Sequence, residues 1–151
     1  MDKGIYCLVF KTPGCTIRIG ALGALLFQAG WYIYIGSAQG SGGLQRLRRH
    51  ISLSHLRDKQ PTWHVDYLLT SPEFSLVYAV CAVSVDRYEC LLSRELNGRR
   101  IPRFGCSDCS CTSHLFYREE DPRDEILTAF RSLLLSPVIK TIINAQVQHN
   151  I

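Results

Sequence analysis

Apolar residues in this chain gather in short runs of β-branched and aromatic side chains, set apart by glycine, proline and charged stretches. Runs of that length and composition read as strands rather than helices. Gly4 to Phe10 is the first, and a Pro13-Gly14 turn leads to a shorter one near Thr16 to Ile19. Two more, about Leu22 to Gln28 and Trp31 to Gly36, are joined around Ala29-Gly30. Phe74 to Val85 carries the strongest strand pattern in the chain. Helical signals come between these strands. Gly42-Gly43 opens a helix from about Leu44 to Ser52, Ser54 to Thr62 is a polar loop, and Trp63 to Thr70 is a second helix ended by Pro72. Asp86 is a natural N-cap for a third helix, running to about Leu96 with Asn97-Gly98 as its stop. Pro102 to Ser113 is loop, and His114 to Tyr117 a short strand. Asp121-Pro122 supplies a cap and a first-turn proline for a fourth helix, whose Ile126, Leu127, Phe130, Leu133 and Leu134 follow a helical period. Pro137 interrupts it, and Val138 to Ile151 is expected to form a final helix or a packed tail. Residues 1–151 are expected to form a single domain with a helical C-terminal extension from about residue 121.

Composition narrows the class without deciding it. With 46% hydrophobic, 20% charged and 10% aromatic residues, the chain is neither disordered nor fibrous. No charged side chain occurs from Ile19 to Gln45, a stretch long enough to span a bilayer. Its many glycines break a helix and suit turns between strands, so no membrane segment is expected. The N-terminus has no apolar core with a small-residue cleavage site, which points to the cytoplasm. Seven cysteines, an odd number, then argue for reduced thiols rather than a disulfide framework. A net charge of +4 permits a polyanionic partner but does not demand one. Its distribution says more: Arg46, Arg48, Arg49, His50, Arg57 and Lys59 gather in one stretch, and Arg99, Arg100 and Arg103 in another.

The candidate chemistry lies just before the first basic stretch. Gly4-Ile5-Tyr6 and Tyr34-Ile35-Gly36 each place a tyrosine in a strand. Arg46 and His50 stand four apart on the helix that follows, so a guanidinium and an imidazole share one face. Two phenols, one fixed cation and one imidazole make a site suited to a phosphate group. Each residue taken singly is ordinary for a strand or a solvated helix; the combination is not.

That combination resembles the GIY-YIG nuclease superfamily. Arg46-Leu47-Arg48-Arg49-His50 fits the superfamily's helix pattern, and Glu89-Cys90-Leu91-Leu92 fits the pattern around its metal-binding glutamate, with Glu95 as a competitor. A narrower resemblance covers almost the whole chain. One prokaryotic branch combines YIGSA, a GGL turn, WHxDYLL and FGxSDCxCxxHL. Here these are Tyr34 to Ala38, Gly42 to Leu44, Trp63 to Leu69 and Phe104 to Leu115, in the same order. The resemblance implies an α/β (α+β) fold with a small central antiparallel sheet flanked by helices. It implies a metal-dependent endonuclease cutting DNA, with RNA open, structure-specific in repair or recombination. Tyr6, Tyr34, Arg46, His50 and Glu89 would be catalytic, with Glu89 holding one Mg²⁺ or Mn²⁺. Ser37, His64 and Arg49 would bind substrate. Positive charge from Arg46 and the metal is expected to favour the phenolate of the base, with Tyr6 preferred to Tyr34.

Two motifs keep alternative readings. Cys106, Cys109, Cys111 and His114 offer four soft ligands for zinc, although the spacing is tighter than in usual zinc modules. Otherwise Ser107, Asp108 and His114 border the cleft while the cysteines pack. Trp63 and Tyr67 share a helix face and are expected in the core, leaving His64 or Asp66 to reach the cleft. The functional alternatives to a nuclease are a nucleic-acid-binding module that cuts weakly or not at all, and a structural protein docking through Leu133 to Ile143. The small size favours a protein partner that supplies targeting.

Overall fold

The computed structural model describes residues 2–40, 42–105 and 113–142. Strand β1 (Gly4–Thr12) lies at the centre of a five-stranded antiparallel sheet, between β4 (Gly30–Ala38) and β5 (Ser75–Val83). The edges are β6 (Leu115–Arg118) beside β4 and β7 (Val138–Thr141) beside β5, so the order is β6-β4-β1-β5-β7. A separate two-stranded ribbon pairs β2 (Cys15–Arg18) with β3 (Ala24–Phe27) across a 3-10 turn at Gly20–Leu22. Four helices complete the described chain: α1 (Gln45–Leu56), α2 (His64–Leu69), α3 (Glu89–Leu96) and α4 (Arg123–Ser132). The architecture is the expected α+β one, a small antiparallel sheet flanked by helices.

Alternation along β1 sets the layers, because successive strand side chains point to opposite faces. Tyr6, Leu8 and Phe10 enter one core with Tyr32, Ala79 and Cys81, covered by Leu47 of α1, Leu68 of α2 and Phe27 of the ribbon. Ile5, Cys7 and Val9 enter the other with Ile35 and Val80, covered by Leu92 of α3 and by Ile126 and Phe130 of α4. Both faces of β1 are dry, so its sequence is a continuous apolar run instead of an alternating one. Aromatic rings tighten the first core. Phe74 meets Phe10, Phe27 and Tyr32 at centroid separations of 5.9, 5.2 and 5.5 Å, in the tilted and edge-on arrangements that ring quadrupoles favour.

Several local expectations change. The tail expected as helix or packed coil contains strand β7, and α4 ends at Ser132, with Leu134 at positive φ and 94% exposed. Beta-branched Val138, Ile139 and Thr141 pair with β5, closing an edge that would otherwise be open. Helix α3 starts at Glu89, not at Asp86. The Asp86 carbonyl instead accepts from the Gln39 side-chain amide at 3.2 Å and the Ser84 hydroxyl at 2.8 Å, which holds this segment against the sheet end. Helix α1 runs on to Leu56, into the expected polar loop. Cys7, Cys15 and Cys81 are free thiols, whereas Cys90 is disulfide-bonded, contrary to the reduced set expected. No described helix is long and apolar enough to cross a membrane.

Asp121 joins the sheet to α4. Its Oδ1 accepts from the Arg123 amide at 3.1 Å and from the buried Tyr78 hydroxyl at 2.6 Å. Asp121→Ala is therefore expected to cost about 1–2 kcal/mol, by freeing the first amide of α4 and leaving a buried hydroxyl unpaired. Urea denaturation should show a lower midpoint at an unchanged slope.

Candidate active site

The register between β1 and β4 places Tyr6 opposite Gly36 and Leu8 opposite Tyr34. Tyr6, Gly36 and Tyr34 therefore share the sheet face covered by α1 and α2. The Tyr6 ring lies directly across Gly36. A Cβ there would stand 2.3 Å from the ring carbon Cζ and 2.5 Å from the hydroxyl. No side chain larger than hydrogen fits at residue 36 while Tyr6 keeps its place. The ring is only 1% exposed, and its hydroxyl meets His50 Nε2 at 2.8 Å.

Around this pair opens a cleft of about 410 Å³. Tyr6, Tyr34, Ser37, Arg46, His64 and Glu89 all line it, although they come from two strands and three helices. Arg46 is held in two ways: Nη1 donates to the Ser37 carbonyl at 3.0 Å, and the guanidinium lies 4.8 Å over the centre of the Trp63 ring. His64 Nδ1 accepts from the Gly105 amide at 2.9 Å, so the neutral ring carries its proton on Nε2. Gly105 can turn there because its φ is +71°, and a Cβ would stand 3.1 Å from the Tyr34 ring. Phe104 packs against both Tyr34 and His64 at centroid distances of 6.2 and 5.4 Å. Phe104 and Gly105 thus seat two site residues at once.

Glu89 is the first residue of α3, where a carboxylate suits the helix dipole. One oxygen lies 3.9 Å from Arg87, which is largely exposed, and the other is buried with no hydrogen-bond partner among the described residues. The Ser37 hydroxyl in the same cleft is likewise buried without a partner. Unpaired polar atoms of this kind cost stability unless a ligand completes them. The carboxylate therefore fits a single cation, such as one that takes its remaining ligands from water and phosphate oxygens. Among the described residues there is no cluster of three or more His, Cys, Asp or Glu side chains that could hold a metal.

Electrostatics change the expected role of Tyr6. Burial raises its pKa well above the usual phenol value, Tyr34 adds to the rise, and the neighbouring Arg46 pulls down by less. The charge of Arg46 by itself does not outweigh burial, and the resting group is a phenol. Burial likewise lowers His50 to about 4; Asp66 opposes this, while Arg46 and Arg49 add to it. The pair is a neutral phenol against a neutral imidazole, and the tautomer decides which group donates.

Other expected residues fall elsewhere. Trp63, expected in the core, is 46% exposed at the mouth of the cleft. It precedes α2, and Asp66 is occupied there, accepting from the Thr62 and Trp63 amides at 2.9 Å each. Arg49 and His50 line a neighbouring hollow rather than the cleft, and His50 acts on the cleft through Tyr6. Glu95 is exposed and absent from the cleft lining. Arg99 and Arg100 of the second basic group lie over Tyr117 and Phe116 at 4.9 and 5.0 Å, against the sheet edge. Cys106, Cys109 and Cys111 lie outside the described residues, while His114 is buried and lines the cleft. Two further contributors lie in or beside the motifs. Gly105 belongs to that of Phe104 to Leu115. Gln39, directly after that of Tyr34 to Ala38, uses its amide to join the carbonyls of Gly4, Ser84 and Asp86 at 3.3, 3.0 and 3.2 Å.

Fold and site together define an α+β domain with one carboxylate, one fixed guanidinium and a tyrosine–histidine pair around a common cleft. The chain belongs to the family described as Domain of unknown function DUF123, whose model matches residues 5–135. No curated protein and no solved structure matches it.

Two outcomes follow from this geometry. Gly36→Ala should cost about 1–3 kcal/mol by overpacking, and should break the Tyr6–His50 contact while circular dichroism stays native-like. The His50 imidazole resonances would report that break. The depressed His50 pKa gives stability that is fully present above about 6.5, its unfolded value, and is lost as pH falls toward about 4. Unfolding free energy should drop steeply from pH 6.5 to 5, and His50→Gln should flatten that limb.

Proposed function

We propose that the protein is a metal-dependent endonuclease that hydrolyses phosphodiester bonds in DNA, of the GIY-YIG type its sequence resembles. The observation that carries this reading is the meeting of Tyr6, Tyr34, Ser37, Arg46, His64 and Glu89 in one cleft, where Glu89 Oε2 and Ser37 Oγ are buried without partners among the described residues. These are the groups a phosphodiester needs: a cation with two parallel donors, a proton acceptor and a carboxylate for a metal ion.

Arg46 binds the non-bridging oxygens. Its guanidinium is already oriented by Ser37 and Trp63, so little side-chain freedom is lost when substrate arrives. The attacking water gives its proton to the Tyr6 oxygen as the Tyr6 hydroxyl proton passes to neutral His50 Nε2, so no free phenolate is formed and His50 becomes an imidazolium that returns its proton to solvent after the bond is cut. This relay uses the His50 tautomer with its proton on Nδ1. Tyr34 and the Ser37 hydroxyl orient the phosphate and the water. His64, with its proton on Nε2, donates toward the departing 3′ oxygen. Glu89 would hold one Mg²⁺ or Mn²⁺, which when bound supplies Lewis-acid stabilisation of the leaving oxygen. A second reading, a nucleic-acid-binding module with weak or no cleavage, is favoured by one observation: burial keeps Tyr6 protonated.

The deciding experiment is cleavage of plasmid, single-stranded, flapped and branched DNA with Mg²⁺ or Mn²⁺. Wild type should cut and Glu89→Gln should not, while both bind the same DNA in EDTA. Tyr6→Phe should slow cutting by about 10²–10⁴-fold, the usual worth of positioned proton transfer. Arg46→Lys should lose most activity, because an ammonium cannot offer the same paired donors. Binding by every variant with cutting by none, wild type included, would establish the module instead.

A further inference from the structure

Next to the cleft lies a second hollow of about 330 Å³, within the size range of small-ligand pockets. Arg46, Thr62 and Trp63 line both, so the two hollows share a wall. The second is otherwise formed chiefly by the end of α1 and the loop after it. Its surface is unusual for a solvated loop. Trp63 is 46% exposed and Leu56 65%, leaving apolar area in water beside half-buried Leu53 even with Arg46 lying over the indole and His50 edge-on to it. Arg49 and Lys59 line the same hollow and form no ion pair among the described residues. Asp58 adds an acceptor. An exposed indole among cations, with an acceptor at hand, has the chemistry of a nucleobase site: the ring stacks, the cations meet backbone phosphates, and the acceptor takes an amino group.

We propose that this hollow receives an unpaired nucleobase next to the phosphate held in the cleft, stacked on Trp63, with Arg49 and Lys59 on the adjoining backbone. The proposal rests on the nuclease reading for the phosphate in the cleft. In a continuous duplex each base is stacked on its neighbours and paired, so it reaches such a site only by leaving the helix. A single strand or a flap offers the base free. The shared wall couples the two sites, because Trp63 carries Arg46 and would also carry the base.

The test needs no catalysis. Anisotropy in EDTA compares a short fluorescein-labelled single strand with the blunt duplex of the same length, for wild type, Trp63→Ala, Trp63→Phe and Lys59→Glu. Wild type should prefer the single strand. Trp63→Ala should weaken single-strand binding about tenfold, in line with the worth of base–aromatic stacking, and duplex binding by clearly less, since the duplex loses only the orientation that Trp63 gives Arg46. Trp63→Phe should retain most of the preference, and Lys59→Glu should reduce it without touching the cleft. The chain has two tryptophans, so in a Trp31→Phe protein Trp63 is the sole reporter, and its fluorescence should be quenched by the single strand. Equal affinity of wild type for both DNAs, equal losses on both in Trp63→Ala, or unchanged fluorescence would each overturn the proposal. A single-strand preference without metal-dependent cutting would overturn the nuclease reading and leave the pocket standing. Cutting without the preference would do the reverse.

Discussion

The Tyr6 ring crossing the β4 backbone at Gly36 is the contact on which the rest of the site depends. It requires the β1–β4 register to be what it is, because a slip of one residue would send Tyr6 to the opposite core. Once in place, the ring fixes where His50 must stand, and so fixes the rotation of α1 against the sheet. Arg46 precedes His50 by one helical turn and is thereby delivered to the cleft. A strand tyrosine, a missing side chain on the next strand and a helix face are parts of one steric solution. Leu44 and Gln39 secure the same corner: the Leu44 amide donates to the Asp2 carbonyl at 2.7 Å, and Gln39 ties the start of β1 to the segment just after β5.

Around that corner the polar groups divide into those already satisfied and those left waiting. Asp66, Gln39 and the Nδ1 of His64 are used by the backbone, which makes their neighbours rigid. Glu89 Oε2 and the Ser37 hydroxyl are buried and unused. A structural network would have been closed, since each open atom costs more than a satisfied one gains. The open atoms face the same cleft as Arg46, and this juxtaposition supports a phosphate and a cation as the missing partners. Burial also changes the chemistry available. It keeps Tyr6 a phenol and His50 a neutral imidazole at rest, so in the proposed relay Tyr6 stays neutral throughout and the charge of the moved proton falls on His50.

Trp63 shows how one side chain serves two surfaces. Spacing puts it four residues before Tyr67, as if both faced the core. Yet it precedes α2 with extended backbone, at φ −107° and ψ 161°, so the helical rule does not reach it. Freed from the helix face, the indole turns outward to carry the Arg46 guanidinium and border both hollows. The second basic group shows the opposite. Arg99 and Arg100 look like an open patch in sequence but stack on the β6 aromatics.

The sequence by itself determined the elements whose signals are local. Strands β1, β4 and β5 followed from dense apolar runs, α1 and α3 from their flanking glycines, and the Arg46–His50 pairing from helical spacing. It also singled out Tyr6, Tyr34, Arg46, Ser37, His64 and Glu89, because ordered motifs carry more information than any one residue. Tertiary structure decided what depends on contacts distant in the chain. β7 exists because β5 offers an unpaired edge, which the Val138 to Thr141 stretch cannot reveal alone. The start of α3 at Glu89 depends on Gln39, some fifty residues earlier, holding the Asp86 carbonyl. The protonation of Tyr6 depends on how completely α1 covers it, and burial outweighs a nearby cation that spacing alone made prominent. Spacing fixes which residues can share a face; only packing fixes how dry that face becomes, and dryness sets the energies of charge.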